Sequence, residues 1–375
     1  MIILILADAL RADHLSCYNG KVQTPNIDSL AKHGILWENY FANSNATEPC
    51  ITTMLTGHYP HKHGILKQPR CSTFQEVGKQ KIDPLIEEHH LCNILRANGY
   101  YTVLIDSLSF FNKPYFDEFR QVQENMLYPE KPKETVETAK EVLQENTSKT
   151  FVFIHFWNTH HPYFPSYPGE VAKLDSAVGE LLKIIKPEDT VIFTADHGES
   201  IGEHVTEARK TDPGHHHLYD EIIHIPLIIR DPILEVNSRI PFMREEIDFA
   251  PSLLELKSIS FKKEWFSPNF QHLIQSVDKE CIYLEEHTYQ EQIGLRTRNY
   301  KFMEKTGANM MCPLCGTIHG ASRYELYDLE LDPEEKHNVA LPGGALWEKC
   351  NLVEPQSNPR ILVNFSKQVW TWYSK

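Results

Sequence analysis

Long hydrophobic runs are missing from this chain. The opening segment Met1–Leu6 (MIILIL) is too short for a signal-peptide core and has neither a basic flank nor a small-residue cleavage site. No run approaches the roughly 20 residues that a membrane-spanning helix requires. These absences set the expectation of a cytoplasmic protein with no transmembrane segment. Basic charge is also scarce: 37 Lys and Arg stand against 51 Asp and Glu, for a formal net charge of −14. That balance argues against nucleic acid as a partner, since a phosphate backbone rewards clustered cations. It leaves room for a small anionic substrate, because one bound divalent ion inverts the local field. Cysteine patterning is thin: of eight Cys, only Cys312 and Cys315 form a CxxC pair, which suits a reducing compartment better than a disulfide framework. Internal repeats and low-complexity linkers are absent.

What is present is an alternation of buried-strand and amphipathic-helix patterns. Ile2–Ala7, Tyr101–Ile105, Phe151–Phe156 and Thr190–Thr194 are short apolar runs of the kind found in central parallel strands, and Ile222–Ile229 reads as a fifth. Helical patterns fall between them, at Thr24–Gly34 (Thr24 at the N-cap), Leu91–Asn98, Glu134–Glu145 and Gly169–Ile185. Strands and helices in this order predict a doubly wound α/β domain.

Three strand or loop ends carry chemistry. The first strand runs into Asp8, the fourth into Asp196-His197-Gly198, and Asn43–Gly64 (NSNATEPCITTMLTGHYPHKHG) reads as a loop feeding a short helix at Thr47. Ligands in open α/β sheets sit at the carboxyl ends of strands. A hydroxyl at a helix start lies where a phosphate or sulfate is electrostatically favoured. Taken alone, Thr47 reads equally as an N-cap. With Asp8, Asp196 and His197 it completes three oxygen donors and one imidazole, a set for one divalent ion: Mn²⁺, Mg²⁺, Ca²⁺ or Zn²⁺. Twenty His are bunched along the chain, among them His155/His160/His161 and His215/His216/His217.

These motifs carry a resemblance. LADALRADHLSCYNG (6–20), TPNIDSLAKHG (24–34), HFWNTHHPY (155–163), TADHGESIGEH (194–204), LYDEIIHIPLII (218–229) and LYDLELDPEEKHN (326–338) resemble, in that order, the sulfatase family of the alkaline-phosphatase superfamily. The resemblance implies a central, mostly parallel sheet flanked by helices over residues 1–257. It implies a smaller α+β subdomain with a short antiparallel sheet over 258–375, which contains the CxxC insertion. It also implies metal ligands at Asp8, Asp196 and His197 and a nucleophile at Thr47.

The departures from the family redirect the expected chemistry. Sulfatases carry Cys or Ser at the position of Thr47, within Cys/Ser-x-Pro-x-Arg, and oxidise it to formylglycine. Here the segment is Thr47-Glu48-Pro49-Cys50-Ile51, and threonine cannot yield that aldehyde. The second Asp of the family's pair is Ala9, and the Gly-Lys-Trp-His stretch corresponds to Asp106-Ser107-Leu108-Ser109, with neither Lys nor His. What remains is similar to the superfamily's phosphodiesterases and phosphotransferases, which use an unmodified Thr. The expectation is a metal-dependent hydrolase of phosphoesters, with His160 and His215 binding the oxyanion or protonating the leaving group and His217 as a further substrate contact. His160 and His215 are also the candidates for a second ion. A sulfate-ester hydrolase without formylglycine, a phospho-group transferase and a degenerate binding protein are the alternatives. A structural zinc at Cys312 and Cys315 would need two more ligands from His319, Cys281 or Cys350. The aromatic tail Val369–Tyr373 docks either on the fold or on a second copy in a homo-oligomer.

Overall fold

The computed structural model describes residues 1–68, 80–107, 111–122, 132–145, 149–204, 217–288, 290–309, 324–340 and 359–374. Eight strands form one sheet: β1 (Ile2–Ala7), β2 (Ile35–Phe41), β3 (Tyr101–Asp106), β4 (Glu118–Gln121), β5 (Thr150–Phe156), β6 (Thr190–Ala195), β7 (His224–Arg230) and β8 (Ser238–Glu245). Their order is β4-β3-β5-β1-β6-β7-β2-β8. From β4 to β6 every pairing is parallel, while β7 runs antiparallel to both of its neighbours. The strands foreseen around β1 are present. β2, β4 and β8 were not foreseen.

β1 is the centre. All six of its residues are at most 1 % exposed, which only an unbroken aliphatic run tolerates. Helices Pro25–Lys32 (α1) and Tyr167–Leu182 (α5) pack against one another, and Pro132–Glu145 (α4) packs against α5 and β5. Between α1 and α4 lie Thr47–Thr56 (α2) and Leu91–Ala97 (α3). Thr24 stands at the N-cap of α1, as expected, with Pro25 first inside the helix. Its hydroxyl makes no capping hydrogen bond but accepts the Ser16 amide at 3.0 Å and donates to Asp28 Oδ1 at 3.2 Å, tying the preceding loop to α1.

A second sheet, β12-β11-β10-β9, is antiparallel throughout: β9 Ile282–Glu286, β10 Gln290–Arg296, β11 Tyr300–Asn309 and β12 Tyr324–Asp328. Ile282, Leu284, Met303 and Tyr327 belong to the same apolar core as the large sheet. The last helix, Pro359–Tyr373, buries Trp372 on the fold, stacked on Tyr283 at 4.6 Å and edge-on to Tyr59 at 5.0 Å. Among the described residues no helix is long and apolar enough to cross a membrane. Cys312 and Cys315, with the zinc site considered for them, lie outside the described residues, as do His215 and His216.

Candidate active site

Register brings the site together. Ala7 pairs with Ala195 on β6, so the residues that follow, Asp8 and Asp196, leave adjacent strands side by side. The Asp8 amide still donates to Phe156 O at 2.8 Å, extending the β1–β5 ladder by one residue. On β5, His155 pairs with Leu6. Side chains two apart share a sheet face, so His155 and Asp8 face the same way.

Thr47 reaches the same point from the helix side. It is the first residue of α2, preceded by Ala46 in an extended cap conformation, so the alternative of an N-capping Thr is removed. All ten residues of α2 are buried, and Gly57 ends the helix at φ +67°, a conformation glycine adopts without strain. The Thr47 hydroxyl donates to Asp8 Oδ2 at 3.3 Å and lies 3.4 Å from His197 Nε2. His197 Nδ1 is 2.8 Å from Gly198 O. That contact holds the Nδ1–H tautomer and turns the lone pair of Nε2 toward Thr47 and Asp196 Oδ2, the latter at 3.5 Å.

The polypeptide thus gathers Asp8, Thr47, Asp196 and His197 at no more than 5 % exposure each. Burial of two carboxylates side by side is costly without a cation. Burial and the charge of Asp8 push the Asp196 carboxyl up. Burial alone would also raise Asp8, but His160, His155 and His197 hold it low. Asp8 Oδ1 and Asp196 Oδ2 are buried without a hydrogen-bond partner. Orphaned carboxylate oxygens converging with imidazole and hydroxyl are what a divalent ion requires, so the residues present fit one.

His160 lies within the field of this group. Burial would lower its pKa, yet Asp8, Glu199 and Asp196 raise it, and its Nδ1 is 2.6 Å from the His161 carbonyl. Glu199, fully buried, accepts the His161 amide at 3.1 Å. His217 is found beside Glu221, with Nε2 at 3.8 Å from Oε1, and near His204 and Tyr219. That trio looks like a second ligand group, but both ring nitrogens of His204 meet protein acceptors, Glu221 Oε1 at 2.9 Å and Glu335 O at 3.2 Å. Arg11 braces the surrounding loops through Asp13 at 2.7 Å, Glu203 and the Glu199 carbonyl at 3.2 Å. Ile51, in the place of the signature Arg, is 1 % exposed in the core.

Gly198 permits the turn that aims His197. A Cβ there would stand 2.1 Å from the Glu221 carbonyl oxygen. Gly198→Ala is therefore expected to destabilise the fold by about 1–3 kcal/mol and to weaken metal binding, as read by thermal unfolding with and without added ion. An unchanged melting temperature and unchanged metal stabilisation would show that the loop yields freely.

Sequence reading missed His155, Asp106 and Glu199. His155 was part of a strand, and Asp106 stood in a segment notable for what it lacked. Only the pairing of β3, β5 and β1 exposes the common face of His155 and Asp106, and Glu199 lies in the loop after β6.

Comparison with known proteins agrees with this architecture. The Sulfatase family model matches residues 1–259, and the model for the C-terminal part of N-sulphoglucosamine sulphohydrolase matches residues 214–343. An N-acetylglucosamine-6-O-sulfatase of Bacteroides thetaiotaomicron is 21% identical, with 90% of this chain and 82% of that protein aligned. An ulvan-active sulfatase of Formosa agariphila is 23% identical over 90% of this chain and 75% of its own length. Among solved structures, a protein in complex with its substrate D-glucosamine-2-N,6-O-disulfate superposes with a TM-score of 0.73 at 16% identity, covering 99% of this chain and 98% of that one. The phosphonate monoester hydrolase of Agrobacterium radiobacter gives 0.74 at 17% identity, covering 99% and 94%.

Proposed function

The chain belongs to the sulfatase family, and from that premise we propose that it is an ester hydrolase whose site is built for a phosphoester, mono- or diester, rather than a sulfate ester. One observation carries the reading. The residue at the first position of the buried helix α2 is an unmodified Thr, with its hydroxyl 3.3 Å from Asp8 Oδ2 and 3.4 Å from His197 Nε2. Thr47 cannot be converted to formylglycine, and Ile51 offers nothing to an anion where the family signature has Arg.

Asp8, Thr47, Asp196 and His197 would hold the divalent ion. Bound there, it would acidify the Thr47 hydroxyl and offset charge on the substrate oxygens. The protein's own groups do the rest. Thr47 Oγ1 attacks phosphorus, and its proton, now hydrogen-bonded to Asp8 Oδ2, passes to solvent water as the Oγ1–P bond forms. The bond from phosphorus to the leaving oxygen breaks in line, and His160 supplies the proton that oxygen needs. Water then cleaves phospho-Thr47 and restores the hydroxyl. Attack by an alcohol at this stage would make the protein a transferase.

His160→Asn is expected to lower kcat about 10²- to 10⁴-fold on alkyl esters. The loss should be smaller on nitrophenyl esters, whose leaving group needs no proton. Equal losses on both would assign His160 to binding instead.

The names of the relatives favour the second reading, a sulfate ester cleaved without formylglycine. A panel of nitrophenyl phosphate, phosphodiester, phosphonate and sulfate esters separates the two. Sulfate turnover exceeding that of every phosphorus ester would overturn the proposal.

A further inference from the structure

We propose that His155 is a ligand of the same ion as Asp8 and Asp196, positioned by Asp106, and that the completed site selects an imidazole-accepting ion, Zn²⁺ or Mn²⁺, over Ca²⁺. The inference rests on the metal-dependent reading above and adds a ligand and a selectivity to it. Ligand atoms of Asp8, His155 and Asp196 lie within 4.8 Å of one another, all three residues buried. His155 Nε2 is 3.6 Å from Asp8 Oδ2 and Nδ1 is 3.1 Å from Asp106 Oδ1. The ring is wholly buried, with Nδ1 against the Asp106 carboxylate and Nε2 without a hydrogen-bond partner. A buried imidazole nitrogen in that condition is open to a further partner.

Asp106 is fixed independently of His155. Its Oδ1 accepts the Trp157 indole N–H at 2.8 Å and the Ser107 amide at 2.6 Å. A carboxylate on the far nitrogen sets the tautomer and orientation of a metal-binding His and raises its basicity. Asp106–His155 has that form, with Nε2 directed at the two carboxylates.

Ala9 explains why a ligand from β5 is needed. It directly follows Asp8 but has no donor side chain. Its backbone, at φ +57°, is already committed, with N–H donating to Asp196 Oδ1 at 3.1 Å and the carbonyl accepting Tyr167 Oη at 2.8 Å. The donors that remain are two carboxylates, two imidazoles and one hydroxyl. Ca²⁺ takes oxygen ligands, whereas two imidazoles beside two carboxylates suit Zn²⁺ and its neighbours. The competing account makes His155 an imidazolium held between Asp8 and Asp106 as a built-in cation, with no role as a ligand.

The test uses the full chain, stripped by chelation and titrated with Ca²⁺, Mn²⁺ and Zn²⁺ without substrate. Equimolar Zn²⁺ is expected to displace Ca²⁺. Asp106→Asn should cost about 10- to 100-fold in Zn²⁺ affinity, and His155→Gln at least as much. Pulsed electron paramagnetic resonance of the Mn²⁺-loaded wild type needs no variant to fold, and should show coupling to two imidazole nitrogens. Coupling to one nitrogen, Zn²⁺ affinity unchanged in both variants, or Ca²⁺ retained against Zn²⁺ would overturn the assignment while leaving the proposed function standing. A wild type that binds none of the three ions would contradict both.

Discussion

Thr47→Ala is expected to abolish turnover of phosphorus esters, by about 10⁴-fold or more in kcat/KM, because a nucleophile removed from a set acting as a unit costs nearly the whole of catalysis. The fold should tolerate the change. Thr47 is 5 % exposed and its hydroxyl makes one long hydrogen bond, so the loss in stability is about 1 kcal/mol. Thr47→Ser keeps the hydroxyl at the start of α2 and should retain measurable activity. Unimpaired activity in Thr47→Ala would remove the nucleophile from the account, and water would have to attack directly.

Asp196→Asn has two effects of opposite sign. In the metal-free protein, burial and the charge of Asp8 raise the Asp196 pKa above its ordinary 3.8. The folded state therefore holds that proton more tightly than the unfolded one. The Asp196 contribution to metal-free stability should fall as the pH rises above that ordinary value, through the raised one. Asp196→Asn relieves this repulsion, so the stripped variant should melt above the stripped wild type. With metal the order reverses: the wild type gains about 2.7 kcal/mol at a free ion concentration one hundred times its Kd, while the variant gains little and loses turnover. Calorimetry with chelator and with added ion reads both effects. A variant stabilised by metal as strongly as the wild type would exclude Asp196 as a ligand.

How much of this was legible in the sequence follows from what is local. β1 and β6 are unbroken aliphatic runs that end in Asp, and such runs announce both the strand and the polar junction after it. The start of α2 was legible at Thr47 for a similar reason, with Pro49 in its first turn and Gly57 at its end. β2 was not. Its sequence, ILWENYF, pairs with β7 through a register shift between Trp37 and Tyr40, which breaks the two-residue period by which a strand is recognised. β7 was expected from Ile222 but begins at His224, because the Ile222 and Ile223 amides close a helical turn on Tyr219 O. Its antiparallel direction is a property of the sheet, and no local pattern encodes it.

The same distinction separates the site residues. Asp8, Asp196 and His197 stand at strand ends, where a polar residue after an apolar run invites attention. His155 sits inside a strand and Asp106 closes another. Each acquires a role only when the order β3-β5-β1 sets Asp106, His155 and Asp8 in line. Asp106 was counted as the loss of a substrate-binding stretch, whereas in the fold it holds an imidazole against the site. Among the described residues His217 sits with Glu221 and His204, so any role it has in binding substrate is exercised from that cluster.

The most direct test of a phosphoester enzyme working through Thr47 is to trap its intermediate. The metal-loaded protein is mixed with a ³²P-labelled phosphoester, quenched in acid within the first turnovers and digested. The account predicts label on the peptide that carries Thr47, at a level that rises and falls with turnover and is absent from Thr47→Ala. Steady turnover of the same ester with no label on that peptide would contradict it.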